Sequence, residues 1–258
     1  MCVLFLAKKC HPNYPLVLGL NRDEFLERAT QPAHFWESHP DVMAGRDLES
    51  LGTWAGVTML NRFAVVTNFR DPAAGKTGKT SRGLLVRQFL TSQTAPRRYV
   101  DSVSNHGANY NDFNLIVGNS KEVWFYSNRT NTHALLPDGL FALSNGTLNE
   151  PWPKVTAGKL RFAAVLAKTE LVSDDIFAIL RDRTIAPDSE LPKTGVGLEA
   201  ERALSPIFVD IPGDHAYGTR SSTVVLVDTA GKTIFQEITY QRPGNGAPPT
   251  ETLRTFEF

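Results

Sequence analysis

The chain has 258 residues with 27 basic and 27 acidic side chains, a formal net charge of zero, and two cysteines. With 41% apolar and 21% charged residues it can bury a substantial core, which argues against a disordered chain. The neutral balance argues against a dedicated nucleic-acid or anionic-membrane binder, whose basic excess would show in the sum. The length suits one domain, expected over 1–258 with a flexible stretch near 243–250 around Gly244-Asn245-Gly246-Ala247-Pro248-Pro249.

In chain order, the short apolar run Cys2 to Ala7 reads as a buried strand, and Leu16 to Leu20 as its hairpin partner, with Gly19 marking a close backbone approach. Further strands are expected at Phe63–Thr67, Phe113–Val117, Val123–Tyr126, Gly139–Leu143, Thr223–Val227 and Thr233–Ile238. Helices are expected from a Ser81 cap to about Thr91, from Pro96 to about Asn105, over Val155–Lys168, and from Ser173 through Leu180. Strands outnumber helices and hairpins dominate, so mainly antiparallel sheets with helices packed outside them are expected. No run approaches the roughly 18–20 apolar residues that span a bilayer. At the N-terminus the apolar run precedes Lys8-Lys9, the reverse of a signal peptide. The expectation is a soluble, cytoplasmic protein in a reducing compartment, with two cysteines that build no disulfide framework.

Cys2 carries the first chemical signal. If Met1 is removed, Cys2 holds a thiol and a free α-amine on one residue, and an amine with a pKa near ~8 can act as base for its own side chain. The alternative is a small core hydrophobe on a first strand. Asn21-Arg22-Asp23-Glu24 follows the second strand directly. As a strand end it projects Arg22 and Glu24 one way and Asn21 and Asp23 the other. In a hairpin it lies beside Cys2, where a carboxylate can hold the α-ammonium and an arginine can lower the thiol pKa. The alternative is a helix start in which Asp23 caps Glu24 to Arg28.

Together with Cys2 and this tetrad, the blocks Gly52-Thr53-Trp54-Ala55-Gly56-Val57, Thr67-Asn68-Phe69-Arg70, Ser81-Arg82-Gly83, Phe113-Asn114-Leu115, Leu143-Ser144-Asn145, Pro151-Trp152-Pro153-Lys154 and Tyr217-Gly218-Thr219-Arg220 resemble the NRDE family, over essentially the whole chain. That family is in turn similar to choloylglycine hydrolases and penicillin-type acylases. The resemblance implies an α/β (α+β) fold, a four-layer αββα sandwich of two mainly antiparallel sheets of the N-terminal nucleophile hydrolase type. In those relatives a mature N-terminal Cys is followed by an Arg-Asn-x-Asp segment. Asn21 and Asp23 match its Asn and Asp, Leu20 holds the position of its Arg, and Arg22 stands two residues further on. Asn68 and Asn145 match the oxyanion donors and Arg220 a late arginine. The implied catalytic set is therefore Cys2, Asp23, Asn68, Asn145 and Arg220, with Asn21, Arg22, Trp54 and Arg70 binding substrate.

Gly75-Lys76-Thr77-Gly78-Lys79-Thr80-Ser81 imitates a phosphate loop, but Ala73 stands where its first glycine belongs, so a basic surface loop is expected. Cys10-His11 has no second Cys/His pair at finger spacing, so no metal site is expected. Two functions follow from the resemblance. One is amidohydrolysis or acyl transfer by Cys2 on a small molecule, with no cofactor. The other is non-catalytic carriage of haem or another hydrophobic small molecule. Oligomeric state stays open.

Overall fold

The computed structural model describes residues 2–74, 79–119, 121–213, 215–242 and 250–258. Most of the phosphate-loop imitation, 75–78, and the expected flexible stretch up to residue 249 lie outside the described residues. The strands are β1 (Cys2–Lys8), β2 (Leu16–Phe25), β3 (Thr30–Trp36), β4 (His39–Asp47), β5 (Ala55–Thr58), β6 (Phe63–Asn68), β7 (Phe113–Gly118), β8 (Val123–Ser127), β9 (Thr132–Leu135), β10 (Gly139–Leu143), β11 (Asp210–Ile211), β12 (Tyr217–Val227), β13 (Thr233–Gln241) and β14 (Thr250–Glu257). The helices are α1 (Gly83–Leu90), α2 (Pro96–Ser104), α3 (Pro153–Leu166), α4 (Ser173–Leu180) and α5 (Leu198–Ala203). The chain forms two compact units that alternate along the sequence: Met1–Glu27, Asp138–Ser144 and Leu148–Phe258 make the first, Arg28–Pro137 and Asn145–Thr147 the second. Each holds one antiparallel sheet with helices packed on it, so the fold is α+β.

In the first unit the strand order is β10-β1-β2-β12-β13-β14, with β11 on β12. As an interior strand bonded to β10 and β2, β1 is buried on both faces, which is why Val3–Ala7 is a continuous apolar run. Val3, Phe5 and Ala7 join Phe162, Ile176, Phe177 and Leu180 in the core beneath α3 and α4. Side chains alternate along a strand, so Cys2, Leu4 and Leu6 take the opposite face. Gly19 is the expected close approach: a Cβ there would lie 2.7 Å from Ile176 Cγ2. Gly158 on α3 is tighter, with its Cβ position 2.2 Å from Phe5 Cζ. Gly158→Ala is expected to cost about 2 kcal/mol by displacing this buried ring. A chemical-denaturation midpoint equal to the parent's would show that the ring gives way freely.

The second unit is a meander, β3-β4-β5-β6-β7-β8-β9, each strand antiparallel to the next. Between β6 and β7, α1 and α2 lay Leu85, Val86, Phe89 and Val100 onto Val66, Phe113 and Leu115. The β7–β8 turn closes through Asn119, whose Oδ1 accepts from the N–H groups of Lys121 and Glu122.

Several elements depart from the sequence reading. The strand over Leu16–Leu20 runs on to Phe25, so Asp23 is a mid-sheet residue paired with Thr219 and not a helix cap. Backbone pairing with β12 overrides the weak capping preference. Ser81 caps no helix by its side chain: α1 starts at Gly83 after Arg82. The strands β3, β4 and β14 carry no clear apolar alternation. Pro32 interrupts β3, Pro40 lies in β4, and β14 is an edge strand whose residues are mostly exposed, so pairing alone makes them strands.

Candidate functional site

The hairpin register puts Cys2 directly opposite Arg22, and Val3 opposite Asn21. Val3 belongs to the helix-side core, so Asn21 and Asp23 face the helices while Arg22 and Glu24 share the face of Cys2. The sequence expectation for the tetrad is therefore met, and the arginine two positions beyond Leu20 is the residue beside the thiol. Leu20 pairs with Leu4 instead.

Cys2 is partly buried. Burial is the main force pushing its thiol above the ordinary range, and the Asp23 carboxylate adds to this. The charge of the chain's N-terminal amine, then the Asp23 backbone N–H at the sulfur and the Arg22 charge, pull the other way and do not prevail. A thiol lowered by a neighbouring arginine is thus not what the structure shows: desolvation outweighs the guanidinium. The resting group is SH at neutral pH, and its proton must leave during any reaction.

The surroundings of Asp23 and Arg22 are built by β12. Asp23 is buried and its Oδ1 accepts from Thr219 Oγ1 at 2.7 Å, while its carbonyl accepts from Tyr217 Oη at 2.9 Å. Burial, then the charges of Asp23, Cys2 and Glu24, hold the Tyr217 phenol well above its ordinary range. Arg22 Nη2 lies 3.9 Å from Glu24 Oε2. Arg220 donates through Nη1 to the carbonyls of Phe25 and Leu26, both at 2.9 Å. Burial and the like charge of Arg22 lower the Arg220 guanidinium, with Glu24 opposing. Ser144 Oγ donates to the Cys2 carbonyl at 3.1 Å and ties down the start of β1.

The structure therefore brings Cys2, Arg22, Asp23 and Arg220 together in the first unit. Asn21, expected to bind substrate, is fully buried on the helix face. Its Nδ2 donates to the carbonyls of Leu180 (2.8 Å) and Ile207 (3.0 Å), and its Oδ1 accepts from Ser222 (2.6 Å). The second unit holds Asn68, Arg70, Asn145 and Trp54. Asn145, fully buried, donates through Nδ2 to the Asn68 carbonyl at 2.8 Å, and its own carbonyl accepts from the Arg70 backbone N–H at 2.7 Å. Trp54 is buried against Gly45, where its ring leaves no room for a side chain. In the sequence, Tyr217, Thr219 and Ser144 stand out only as members of family blocks. Their roles lie in hydrogen bonds to residues roughly 140–195 positions away, and no local pattern encodes such pairings.

Comparison with known proteins places the chain in a family. The sequence model of a family described as Transport and Golgi organisation 2 matches residues 1–242. The chain is 35% identical over 280 residues to the Transport and Golgi organization protein 2 homolog of Bos taurus, covering 100% of this chain and 99% of that protein. It is 31% identical over 258 residues to the Homo sapiens homolog (92% of each). It is 30% identical over 271 residues to the Drosophila melanogaster protein (93% and 92%). Among solved structures, it is similar to the Caenorhabditis elegans orthologue of N-acylethanolamine-hydrolyzing acid amidase, with a TM-score of 0.51, 10% identity and coverage of 87% and 92%. The C2A mutant of conjugated bile acid hydrolase from Clostridium perfringens gives a TM-score of 0.50 at 10% identity, covering 100% and 97%. Both are N-terminal nucleophile hydrolases, and at this identity the likeness shows the fold. The chain belongs to the Transport and Golgi organisation 2 family.

Proposed function

We propose that Cys2 is the nucleophile of an acyl-transfer site of amidohydrolase type acting on a small molecule. The observation that carries this reading is the register that sets Cys2 across from Arg22, with Asp23 next in β2 and its backbone N–H at the sulfur. Because the resting thiol is protonated, the reaction needs a base within reach, and a free α-amine on Cys2 is that base once Met1 is gone. The sulfur attacks the acyl carbon as its proton passes to the amine, and the carbonyl oxygen becomes an oxyanion. Collapse expels the amine leaving group, which takes the proton back, and leaves a thioester. Water then attacks the thioester, losing a proton to the amine; the thiol returns and a carboxylic acid departs. Asp23 is the proposed orienter of the amine. Asn68 and Asn145 are the oxyanion donors that the sequence resemblance suggests, a contribution of roughly 3 kcal/mol when well placed. Likeness of fold to an amidase and a bile acid hydrolase supports the reaction class and names no substrate.

The mass of the isolated chain tests the premise, since the reading requires it to lack Met1. The pH dependence of iodoacetamide alkylation at Cys2, followed by peptide mass to separate it from Cys10, supplies the second check. Burial raises this thiol, so a chain retaining Met1 is expected to alkylate only above the ordinary thiol range of ~8.5. A chain starting at Cys2 is expected to show a second limb near ~8, where its amine loses its proton. A retained Met1 in the functional protein would end the nucleophile reading. Among the described residues no helix is long and apolar enough to cross a membrane.

A further inference from the structure

We infer that Thr219 is the positioning residue for Asp23, holding its carboxylate on the helix face and its charge away from the Cys2 thiol, through a hydroxyl whose direction the Val209 backbone fixes. This deepens the nucleophile reading and rests on it. Thr219 is fully buried. The Val209 N–H donates to Thr219 Oγ1 at 3.0 Å, so that oxygen's acceptor side is occupied and its proton is directed to Asp23 Oδ1, 2.7 Å away. The backbones of the same two residues are joined again by Thr219 N–H to the Val209 carbonyl at 2.9 Å, so the hydroxyl cannot drift.

The local backbone shows why the residue sits there. Along β12, Thr219 pairs with Asp23 and Ser221 pairs with Arg22, so Arg220 is an extra residue bulged out of the ladder. A bulge re-aims side chains on either side of it. Here it turns Arg220 onto the carbonyls of Phe25 and Leu26 while leaving Thr219 on the helix face opposite Asp23. A regular strand would place one of these two groups and lose the other. Among the described residues, the other charged or titratable groups around Asp23 and Cys2 are Arg22 and Glu24 on β2, and Tyr217 and Arg220 on β12, and the charge of the chain's N-terminal amine also acts on Cys2.

The inference is tested by the pH profile of Cys2 alkylation in the full chain carrying Thr219→Val, Thr219→Ser and Asp23→Asn, alone and combined. Thr219→Val removes the donor that draws carboxylate charge away from the sulfur. Alkylation should slow roughly three- to tenfold at a fixed pH, as a shift of about half to one pH unit in the thiol. Thr219→Ser keeps the hydroxyl and should restore the parental profile to within about twofold. In the Asp23→Asn chain, Thr219→Val should change nothing further, because its effect runs through the carboxylate. Parental rates in a folded Thr219→Val chain would overturn the inference, as would a Thr219→Ser profile as shifted as that of valine, or a valine effect that persists beside Asn at 23. If the valine chain fails to fold for want of a partner for the Val209 N–H, Thr219→Ala is read in its place, because its smaller side chain leaves room for a water to accept from that N–H. Alkylation reports on the thiol and not on turnover. A Cys2→Ala chain that still hydrolyses its substrate would therefore sink the nucleophile reading and leave the Thr219 profile standing.

Discussion

Replacing Cys2 by alanine is expected to remove acyl transfer by at least about a thousandfold, because the proposed mechanism loses its nucleophile and its covalent intermediate together. Folding should be little affected. Cys2 is the first residue of β1, held by pairing with Arg22 and by Ser144 Oγ on its carbonyl, and neither contact uses the sulfur. The variant is assayed against panels of small acyl amides with stability measured in parallel. A residual rate equal to the parent's in a folded Cys2→Ala chain would assign catalysis elsewhere. Haem titration of the same variant separates the carrier reading. A saturable spectral shift in parent and variant alike, with no hydrolysis by either, would make the protein a carrier that does not use the thiol.

Asn21→Leu is expected to cost about 4 kcal/mol, enough to unfold the first unit or nearly so. The substitution keeps the branched outline of the side chain and strands three groups. The carbonyls of Leu180 and Ile207 lose their donor, and the Ser222 hydroxyl loses its acceptor, all in a buried setting where each unmade bond costs roughly 1–3 kcal/mol. Ser222 also meets the Tyr240 hydroxyl at 2.9 Å, which recovers part of the last loss. Urea denaturation measures the cost. A loss below about 1 kcal/mol would mean that water or side-chain movement replaces these bonds. The same substitution bears on the substrate-binding role that the family resemblance implies for Asn21. A residue that locks α4 and Ile207 to β2 shapes the site from behind, as a support rather than a contact.

The contrast between neighbouring tetrad residues shows what is legible in the sequence. Alternation along a strand is local and periodic, so the split of Arg22 and Glu24 from Asn21 and Asp23 follows from sequence alone, as does the pairing of the first hairpin. The sign of the electrostatics at Cys2 is not local. An adjacent arginine reads as a device for lowering a thiol pKa, yet burial decides the outcome, and burial depends on everything packed around β1. Elements with strong apolar periodicity, such as β1, β6, β7, β8 and α4, are recognisable from composition. The strand β14 is held mainly by its ladder to β13, and no side-chain pattern announces it.

The class of fold, the family blocks, and the choice of Cys2 and the Asn21–Glu24 tetrad as the place for chemistry all rest on the order and spacing of residues, which the chain carries unfolded. Folding settled which tetrad residue faces the thiol and which braces the helices, and that the thiol rests protonated. It also settled that a bulge at Arg220 brings Thr219 to Asp23. Those outcomes depend on register, burial and hydrogen bonds between strands almost 200 residues apart in the chain, and such pairings exist only once the backbone has closed.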